Sequence, residues 1–179
     1  TDEPARSATF YAVEEAKKAG AVISYDPNYR PLLWPDEETA IHHMRSMVPY
    51  ADIMKISDEE TVLLSGKEDP REAAKALLEA GVSCVVVTLG GDGALLMTKQ
   101  IEVQEKGKAR NVVDTTGAGD SFWGGLLSRL ALNNVKPEDL TEEQAREYLK
   151  FANAVAGLCV EKRGAIPAMP TLEQVMNEL

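Results

Sequence analysis

The sequence predicts an α/β protein built on a mostly parallel sheet, because segments with helical periodicity alternate with short apolar segments. Its strongest strand pattern covers 83–89 and is apolar and β-branched, as is typical of a central parallel strand. Capping boxes at Ser57, Thr141 and Thr171 mark the starts of three helices. No repeat, linker or low-complexity segment interrupts the pattern, so we predict a single domain over 1–179.

The first half of the chain predicts four helices and two strands. The first helix stops at Gly20, the second is capped by Asp36, and the fourth starts at Asp69-Pro70 and ends at Gly81. The predicted helices cover 7–19, 36–48, a stretch opening at 57–60, and 69–80; the predicted strands cover 21–25, expected to be buried, and 52–56.

The second half predicts a glycine-rich turn, short strands and three more helices. The run Gly90-Gly91-Asp92-Gly93 turns the 83–89 strand into a second strand at 94–98, and two further short strands are expected between 101 and 113. The helices are expected over 118–132, from Thr141, where apolar residues recur at helical spacing and predict a core stripe, and from Thr171.

The composition excludes several classes of partner. The formal net charge is −10, so no basic surface is expected to bind nucleic acid or an anionic membrane. No signal peptide or long apolar span is apparent, which makes the cytoplasm the expected compartment. Both cysteines, Cys84 and Cys159, lie in apolar patterns and are predicted to be buried thiols rather than a disulfide.

The run 114–122, Asp-Thr-Thr-Gly-Ala-Gly-Asp-Ser-Phe, carries the most specific chemistry in the chain. Three small residues, Gly117, Ala118 and Gly119, let backbone N–H groups converge at the start of a predicted helix, where an anion binds. Asp120 places a carboxylate beside that site, which suits the removal of a proton from an attacking hydroxyl. The same residues also fit a plain tight turn with a first-turn acid.

With Trp123-Gly124-Gly125 behind it, this run closely resembles the second signature of the PfkB, or ribokinase-like, family of carbohydrate kinases. The resemblance implies a ribokinase-like three-layer α/β/α sandwich with a mostly parallel sheet. It implies ATP-dependent phosphorylation of a sugar hydroxymethyl group, with Asp120 as the base and the N–H groups of Gly117, Ala118 and Gly119 holding the phosphoryl charge. Mg²⁺ would bridge the phosphates.

Cation sites follow from the same resemblance. Residues 55–60 are similar to the family's Asn-x-x-Glu segment, with Ser57 in place of the asparagine. The resemblance assigns a Mg²⁺-linked role, through water, to Glu60, although Ser57 and Glu60 also form a plain capping box. Asp114 and Thr116 would help to hold a monovalent cation such as K⁺.

The nucleotide would be bound by two further segments. The run 88–93 looks like the family's Thr-x-Gly-x-x-Gly loop and assigns ATP contacts to Thr88, Gly90 and Gly93, although it also fits an ordinary hairpin turn. Asn153 and Gly164 lie in stretches that resemble the family's adenine-covering helix and the loop after it. A lone polar residue such as Asn153 also fits a solvated helix flank.

The run Asp26-Pro27-Asn28-Tyr29-Arg30 follows a predicted strand and resembles the Asp-x-Asn-x-Arg run of fructokinases and 2-keto-3-deoxygluconate kinases. The resemblance assigns to Arg30 a contact with the sugar or the transferred phosphoryl group, since a guanidinium suits oxygen-rich partners. Fructose is the expected substrate; 2-keto-3-deoxygluconate, ribose and a nucleoside are the alternatives. The turn composition by itself predicts only an exposed cation.

The resemblance begins in the middle of such a kinase, so we expect the chain to be a carboxy-terminal portion without the family's first strands and β lid. Little kinase activity is then expected from it alone. An exposed sheet edge would favour association, and the full-length parent is expected to be a homodimer. A nucleotide-binding fragment that performs no catalysis is the alternative from another functional class.

Overall fold

The computed structural model describes residues 2–179 and contains seven α-helices and five strands in that range. The helices are α1 (Ala5–Lys18), α2 (Glu37–Met47), α3 (Thr61–Ser65), α4 (Pro70–Glu79), α5 (Ala118–Leu132), α6 (Glu142–Cys159) and α7 (Leu172–Glu178). The strands are β1 (Ser24–Tyr25), β2 (Ile53–Ser57), β3 (Cys84–Thr88), β4 (Ala94–Thr98) and β5 (Glu102–Glu105).

The strands form one mixed, mostly parallel sheet in the order β1-β2-β3-β4-β5. β1 and β2 are parallel, with Ser24 opposite Ile53 and Tyr25 opposite Met54. The N–H groups of Ser83 and Cys84 donate to the carbonyl of Asp52, so β2 and β3 also start side by side. The connections from β3 to β4 and from β4 to β5 are too short for a crossover, so those neighbours run antiparallel. The predicted α/β fold is confirmed.

The helix starts follow the capping residues that the sequence contains. Asp36 accepts a hydrogen bond from the N–H of Thr39, and Asp69 accepts bonds from the N–H groups of Arg71 and Glu72. Thr141 and Thr171 form the predicted capping boxes with glutamines three residues later. The predicted boundaries of α5 and β4 are confirmed to the residue.

The chain divides into two compact units. Unit 1 contains the residues up to Val87 together with Met97–Lys99, and its core includes β2, the apolar residues of β3, and the buried faces of α2 and α4. Unit 2 contains Thr88–Leu96 and Gln100–Leu179, and its core includes the buried faces of α5 and α6. The single domain over 1–179 stays a prediction.

Three details differ from the sequence expectations. β1 covers only Ser24–Tyr25 and is not buried, because it is the edge strand of the sheet and pairs on one side only. Among the described residues, one strand rather than two lies between positions 101 and 113. The third helix begins at Thr61, after a 3₁₀ turn over Asp58–Glu60.

Cys84 and Cys159 are both buried free thiols, as predicted. Burial in an apolar strand raises the pKa of the Cys84 thiol, since no nearby charge stabilises its thiolate. No helix within residues 2–179 combines the length and apolar character that crossing a bilayer would require.

Candidate active site

The loop before α5 enters the helix through a glycine in a left-handed conformation. Gly117 has φ +79° and ψ 2°, a region that residues with a side chain rarely adopt. A Cβ built at Gly117 would lie 2.8 Å from the Cβ of Ala165, closer than real side chains approach. Backbone conformation and close packing therefore both require glycine here.

The first turn of α5 has N–H groups available for an anion. Over the described chain, the N–H groups of Gly117, Gly119 and Asp120 have no hydrogen-bond acceptor, and the positive end of the helix dipole lies at the same place. The N–H of Ala118 instead donates to the carbonyl of Thr115 at 3.1 Å. The free set therefore includes the N–H of Asp120, which the sequence analysis did not single out.

The Asp120 side chain is exposed in that first turn. It lines a cleft of about 350 Å³ with Gly124 and Ser128, which follow one and two turns later on the same helix. Apolar residues from α6, from α7 and from the segment leading into α7 complete much of the lining: Phe151, Val155, Met169, Pro170, Leu172 and Val175. A carboxylate in this position is open to a substrate hydroxyl and can accept its proton.

Two adjacent glycines of α5 have different surroundings. A Cβ at Gly125 would lie 3.2 Å from Cγ2 of Val155 and 3.4 Å from Cα of Ala152, so this glycine lets α5 and α6 pack closely. A Cβ at Gly124 would meet nothing within 4 Å, so that position keeps the cleft beside Asp120 open.

Asp114 fastens the signature loop to the loop after α6. One of its carboxylate oxygens accepts the N–H of Thr116, and the other accepts the N–H of Gly164, both at 2.9 Å. These bonds, first that from Gly164, lower the pKa of Asp114 to about 2. The structure thus brings Gly164, predicted to contact nucleotide, together with Asp114 and Thr116, predicted to hold a monovalent cation.

The glycine-rich loop lies at the carboxyl end of β3, which ends at Thr88. Gly90 and Gly93 both have positive φ, +56° and +92°. A Cβ at Gly93 would lie 2.0 Å from the carbonyl oxygen of Glu105, so the loop packs backbone against backbone with the end of β5. The backbone of residues 105–107 fills the space beside Gly93, so close packing as well as backbone conformation requires glycine at that position.

Asn153 forms a hydrogen bond with the same residue, Glu105. Its amide Nδ2 donates to the carbonyl of Glu105 at 3.1 Å, and Arg146, two turns earlier on α6, forms an ion pair with the Glu105 carboxylate. Gly93 and Asn153, which lie sixty positions apart in the chain, therefore meet at Glu105. Neither Glu105 nor Arg146 forms part of a local motif, so the sequence alone did not single them out.

Unit 1 contains the two remaining predicted residues, Arg30 and Glu60. Arg30 is exposed, and its Nη1 donates to the carbonyl of Tyr29 at 3.0 Å. Glu60 is buried, with 7% of its surface exposed. One Glu60 oxygen accepts the N–H of Tyr29 at 2.7 Å, and the other accepts the N–H of Ser57 at 2.8 Å and its hydroxyl at 3.2 Å.

Beside them lies an ion pair that the sequence analysis did not predict. Lys55 Nζ lies 2.5 Å from a carboxylate oxygen of Asp26, and both side chains are largely buried. Burial raises the pKa of Asp26, while the hydrogen bond from Lys55 and its charge lower it. Burial also raises the pKa of Tyr25, to which the nearby Glu60 and Asp26 charges add. A lone lysine in the apolar pattern of β2 was the available signal.

Residues 2–179 contain hydrogen-bond donors for a phosphate group but no set of side chains that would bind a bare metal ion. No group of three His, Cys, Asp or Glu side chains within residues 2–179 could hold a metal. The free N–H groups at the start of α5 fit a phosphate group. A Mg²⁺ ion held mainly by phosphate oxygens and water fits this donor set.

Comparison with known proteins decides the family. Residues 1–172 match the model described as pfkB family carbohydrate kinase. The chain belongs to the pfkB family. This membership agrees with the glycine-Ala-glycine-Asp loop, the free N–H groups and the exposed Asp120 described above.

Individual relatives are named for sugar and nucleoside kinases. The chain is 44% identical over 179 residues to the probable fructokinase-6, chloroplastic, of Arabidopsis thaliana. The match covers 99% of this chain and 46% of that protein. The crystal structure of fructokinase from Vibrio cholerae O395 in its fructose, ADP and calcium ion bound form is 34% identical, has a TM-score of 0.90, and matches 98% of this chain and 56% of its own.

The aminoimidazole riboside kinase of Salmonella enterica, solved with aminoimidazole riboside and an ATP analogue, is 32% identical. Its TM-score is 0.85, and the match covers 99% of this chain and 58% of that one. The chain thus spans about half the length of each of these three relatives.

Proposed function

We propose that the chain carries the catalytic portion of an ATP-dependent sugar kinase whose substrate is fructose and whose product is fructose 6-phosphate. The observation that carries this proposal is the exposed Asp120 carboxylate beside the unpartnered N–H groups of Gly119 and of Asp120 itself. A base next to an anion site is what phosphoryl transfer to a hydroxyl needs.

In the proposed reaction, Asp120 accepts the proton of the sugar hydroxymethyl group as its oxygen bonds to the γ-phosphorus of ATP. The bond between that phosphorus and the β,γ-bridging oxygen breaks, and ADP leaves with the electron pair. The N–H groups of Gly117 and Gly119 stabilise the charge on the transferred group. Ala118 keeps its predicted part only if its N–H leaves the Thr115 carbonyl.

ATP is proposed to contact Thr88, Gly90, Gly93, Asn153 and Gly164. Mg²⁺ would neutralise phosphate charge, and K⁺ would lie near Asp114 and Thr116. The family resemblance gives Glu60 a part in holding Mg²⁺ through water, and the kinetics of Glu60→Gln test this role against a positioning role for the same carboxylate. The Vibrio structure contains ADP and a calcium ion, and the Salmonella structure contains an ATP analogue, which supports a nucleotide together with a cation. The particular cations stay proposals for this chain.

Fructose is preferred because the Vibrio structure is named for fructose and the Asp26–Arg30 run resembles fructokinases. The same run favours 2-keto-3-deoxygluconate as the second candidate. Arg30 is proposed to contact the sugar or the transferred phosphoryl group. A nucleotide-binding portion that performs no catalysis is a further alternative, since the chain spans about half of its relatives.

The proposal extends to the compartment and the oligomeric state. We predict the cytoplasm, while the Arabidopsis relative is named chloroplastic. A homodimer of the full-length protein, with sugar and ATP as its small-molecule partners, is likewise a proposal, and size-exclusion chromatography with light scattering would measure it.

The test is ADP release with Mg-ATP and fructose, 2-keto-3-deoxygluconate or ribose. Turnover on fructose by this chain alone is expected to be low, and Asp120→Asn should lower it further by about 10²–10⁴-fold, the usual contribution of a positioned base. Glu143→Gln, which changes an exposed first-turn acid of α6, is the matched control and should keep full activity.

Equal rates for the wild-type chain and Asp120→Asn would overturn the assignment of the base. If the wild-type chain binds ATP but releases no ADP with any sugar, the nucleotide-binding alternative is favoured. Turnover on 2-keto-3-deoxygluconate alone would move the substrate to the second candidate.

A further inference from the structure

Two carboxylates of unit 1, Asp26 and Glu60, bind the backbone just before Arg30, and Lys55 holds the first of them. Lys55 pairs with Asp26 at 2.5 Å, and Asp26 also accepts the N–H of Asn28 at 3.1 Å. Glu60 accepts the N–H of Tyr29 at 2.7 Å. Two consecutive backbone N–H groups ahead of Arg30 are therefore held by carboxylates that are fixed elsewhere in the fold.

The parallel pairing of β1 with β2 explains why these residues meet. Tyr25 lies opposite Met54, so the next residues along the two strands are Asp26 and Lys55. β2 ends at Ser57, where the capping box fixes Glu60 through its second carboxylate oxygen. The register of β1 and β2 therefore places both the Lys55–Asp26 ion pair and the Glu60 carboxylate beside the backbone of residues 28–29.

The held segment contains a backbone conformation that needs support. Asn28 has φ +47°, a left-handed value that is uncommon for a residue with a side chain. The Asp26 carboxylate stabilises this turn through the Asn28 N–H. Without Asp26 and Glu60, two N–H groups of a partly buried turn would lose their acceptors, and the turn would lose its fixed direction.

We propose that Glu60 is a positioning residue for Arg30, and that Lys55 supports it by holding Asp26. Glu60 fixes the Tyr29 N–H, and the Tyr29 carbonyl accepts the hydrogen bond from Arg30 Nη1 at 3.0 Å. Removal of the Glu60 carboxylate therefore moves the guanidinium that binds substrate. This inference rests on the proposed function, because it takes Arg30 as a substrate contact.

Positioning and metal binding predict different kinetics for Glu60→Gln. A glutamine has one acceptor oxygen, and the capping box keeps that oxygen on the Ser57 N–H, so the Tyr29 N–H loses its partner. Positioning predicts that the KM for the sugar rises roughly tenfold, while the KM for ATP and the Mg²⁺ concentration for half-maximal rate stay unchanged. Glu59→Gln, which removes an exposed carboxylate one residue away, is the matched control and should change none of these values.

A double-mutant cycle with Arg30→Ala separates positioning from general loss of structure. If Glu60 acts through Arg30, Glu60→Gln raises the sugar KM in the wild-type background and adds nothing in the Arg30→Ala background. An equal factor in both backgrounds would overturn the proposal. So would a raised Mg²⁺ requirement in Glu60→Gln with an unchanged sugar KM.

Amide hydrogen exchange tests the same contact in the chain as it stands, whatever its activity. Exchange at the Tyr29 amide should become at least roughly tenfold faster in Glu60→Gln and stay unchanged in Glu59→Gln. Unchanged exchange at Tyr29 in Glu60→Gln would overturn the positioning role. Absence of sugar turnover in the wild-type chain would count against the proposed function alone, because the exchange measurement needs no substrate.

Discussion

Two regions are organised in the same way in different environments: the signature loop, residues 114–120, and the Arg30 segment, residues 26–30. In each, one carboxylate accepts backbone N–H groups from two segments, an arrangement called here a carboxylate bridge. Asp114 bridges Thr116 and Gly164 in unit 2. Glu60 bridges Ser57 and Tyr29 in unit 1.

The two carboxylate bridges differ in what surrounds them. Asp114 is only half-buried, and its hydrogen bonds act with the close approach of Gly117 to Ala165. Glu60 is buried and lies near the ion pair of Lys55 with Asp26. We infer that the signature loop depends on backbone geometry, whereas the Arg30 segment depends on buried charge.

The largest expected effect is the loss of unfolding free energy when the buried ion pair of Lys55 with Asp26 is broken. Lys55→Met leaves Asp26 buried without its cation, which should lower the free energy of unfolding by about 3–5 kcal/mol. Lys75→Met breaks an exposed pair with Glu72 and should change it by less than about 1 kcal/mol. Urea titrations followed by circular dichroism measure both.

The double variant Lys55→Met with Asp26→Asn tests the cause. Asparagine keeps an oxygen for the Asn28 N–H but carries no charge, so most of the lost stability should return. A double variant as unstable as Lys55→Met would show that packing of the lysine, rather than its charge, holds this segment.

The next effect is on the signature loop. Gly117→Ala forces a side chain into a left-handed conformation against Ala165, and it should cost about 1–3 kcal/mol of unfolding free energy and lower kinase activity. Gly124→Ala on the same helix has open space and should stabilise the chain by up to about 1 kcal/mol.

Thermal unfolding of the two alanine variants gives the comparison directly, since both add one methyl group to α5 or its cap. Equal shifts in Tm would contradict the assignment of close packing to Gly117. A fall in Tm for Gly117→Ala alone would show that the loop conformation, rather than helix propensity, requires the glycine.

Features carried by local residue patterns were predictable from the sequence. The capping residues placed most helix starts, and the apolar β-branched run placed β3 as a strand with a buried core. The motif from Asp114 to Asp120 placed the candidate site, because glycine spacing and a following helix are local properties.

Features that depend on residues far apart in the chain were not predictable. Lys55 meets Asp26, and Asn153 meets Glu105, only because strand register and helix packing bring them together. The exposure of β1 depends on its edge position in the sheet, which a five-residue apolar pattern does not reveal. The engaged N–H of Ala118 likewise depends on the conformation of the loop at Thr115.

The smallest expected effect is the loss of stability when acid protonates Asp114, the carboxylate bridge of unit 2. The pKa of Asp114 is about 2 in the folded chain and about 3.9 for an unfolded aspartate. Its contribution to stability is therefore complete above about pH 4 and is lost as the pH falls from there towards 2. Asp114→Asn should be less stable than the wild-type chain at pH 6. The difference in stability between the two chains should become smaller as the pH falls from about 4 towards 2.

The measurement is the urea midpoint of both chains from pH 6 down to pH 2.5, and Asp139→Asn, an exposed aspartate outside the site, is the control. A gap between wild type and Asp114→Asn that stays constant with pH would mean that the carboxylate charge contributes nothing to the bridge. A narrowing gap would show that protonation opens the solvent-accessible bridge. Acid would then loosen the signature loop through Asp114, whose pKa its hydrogen bonds lower, whereas burial raises the pKa of Asp26 in the Arg30 segment.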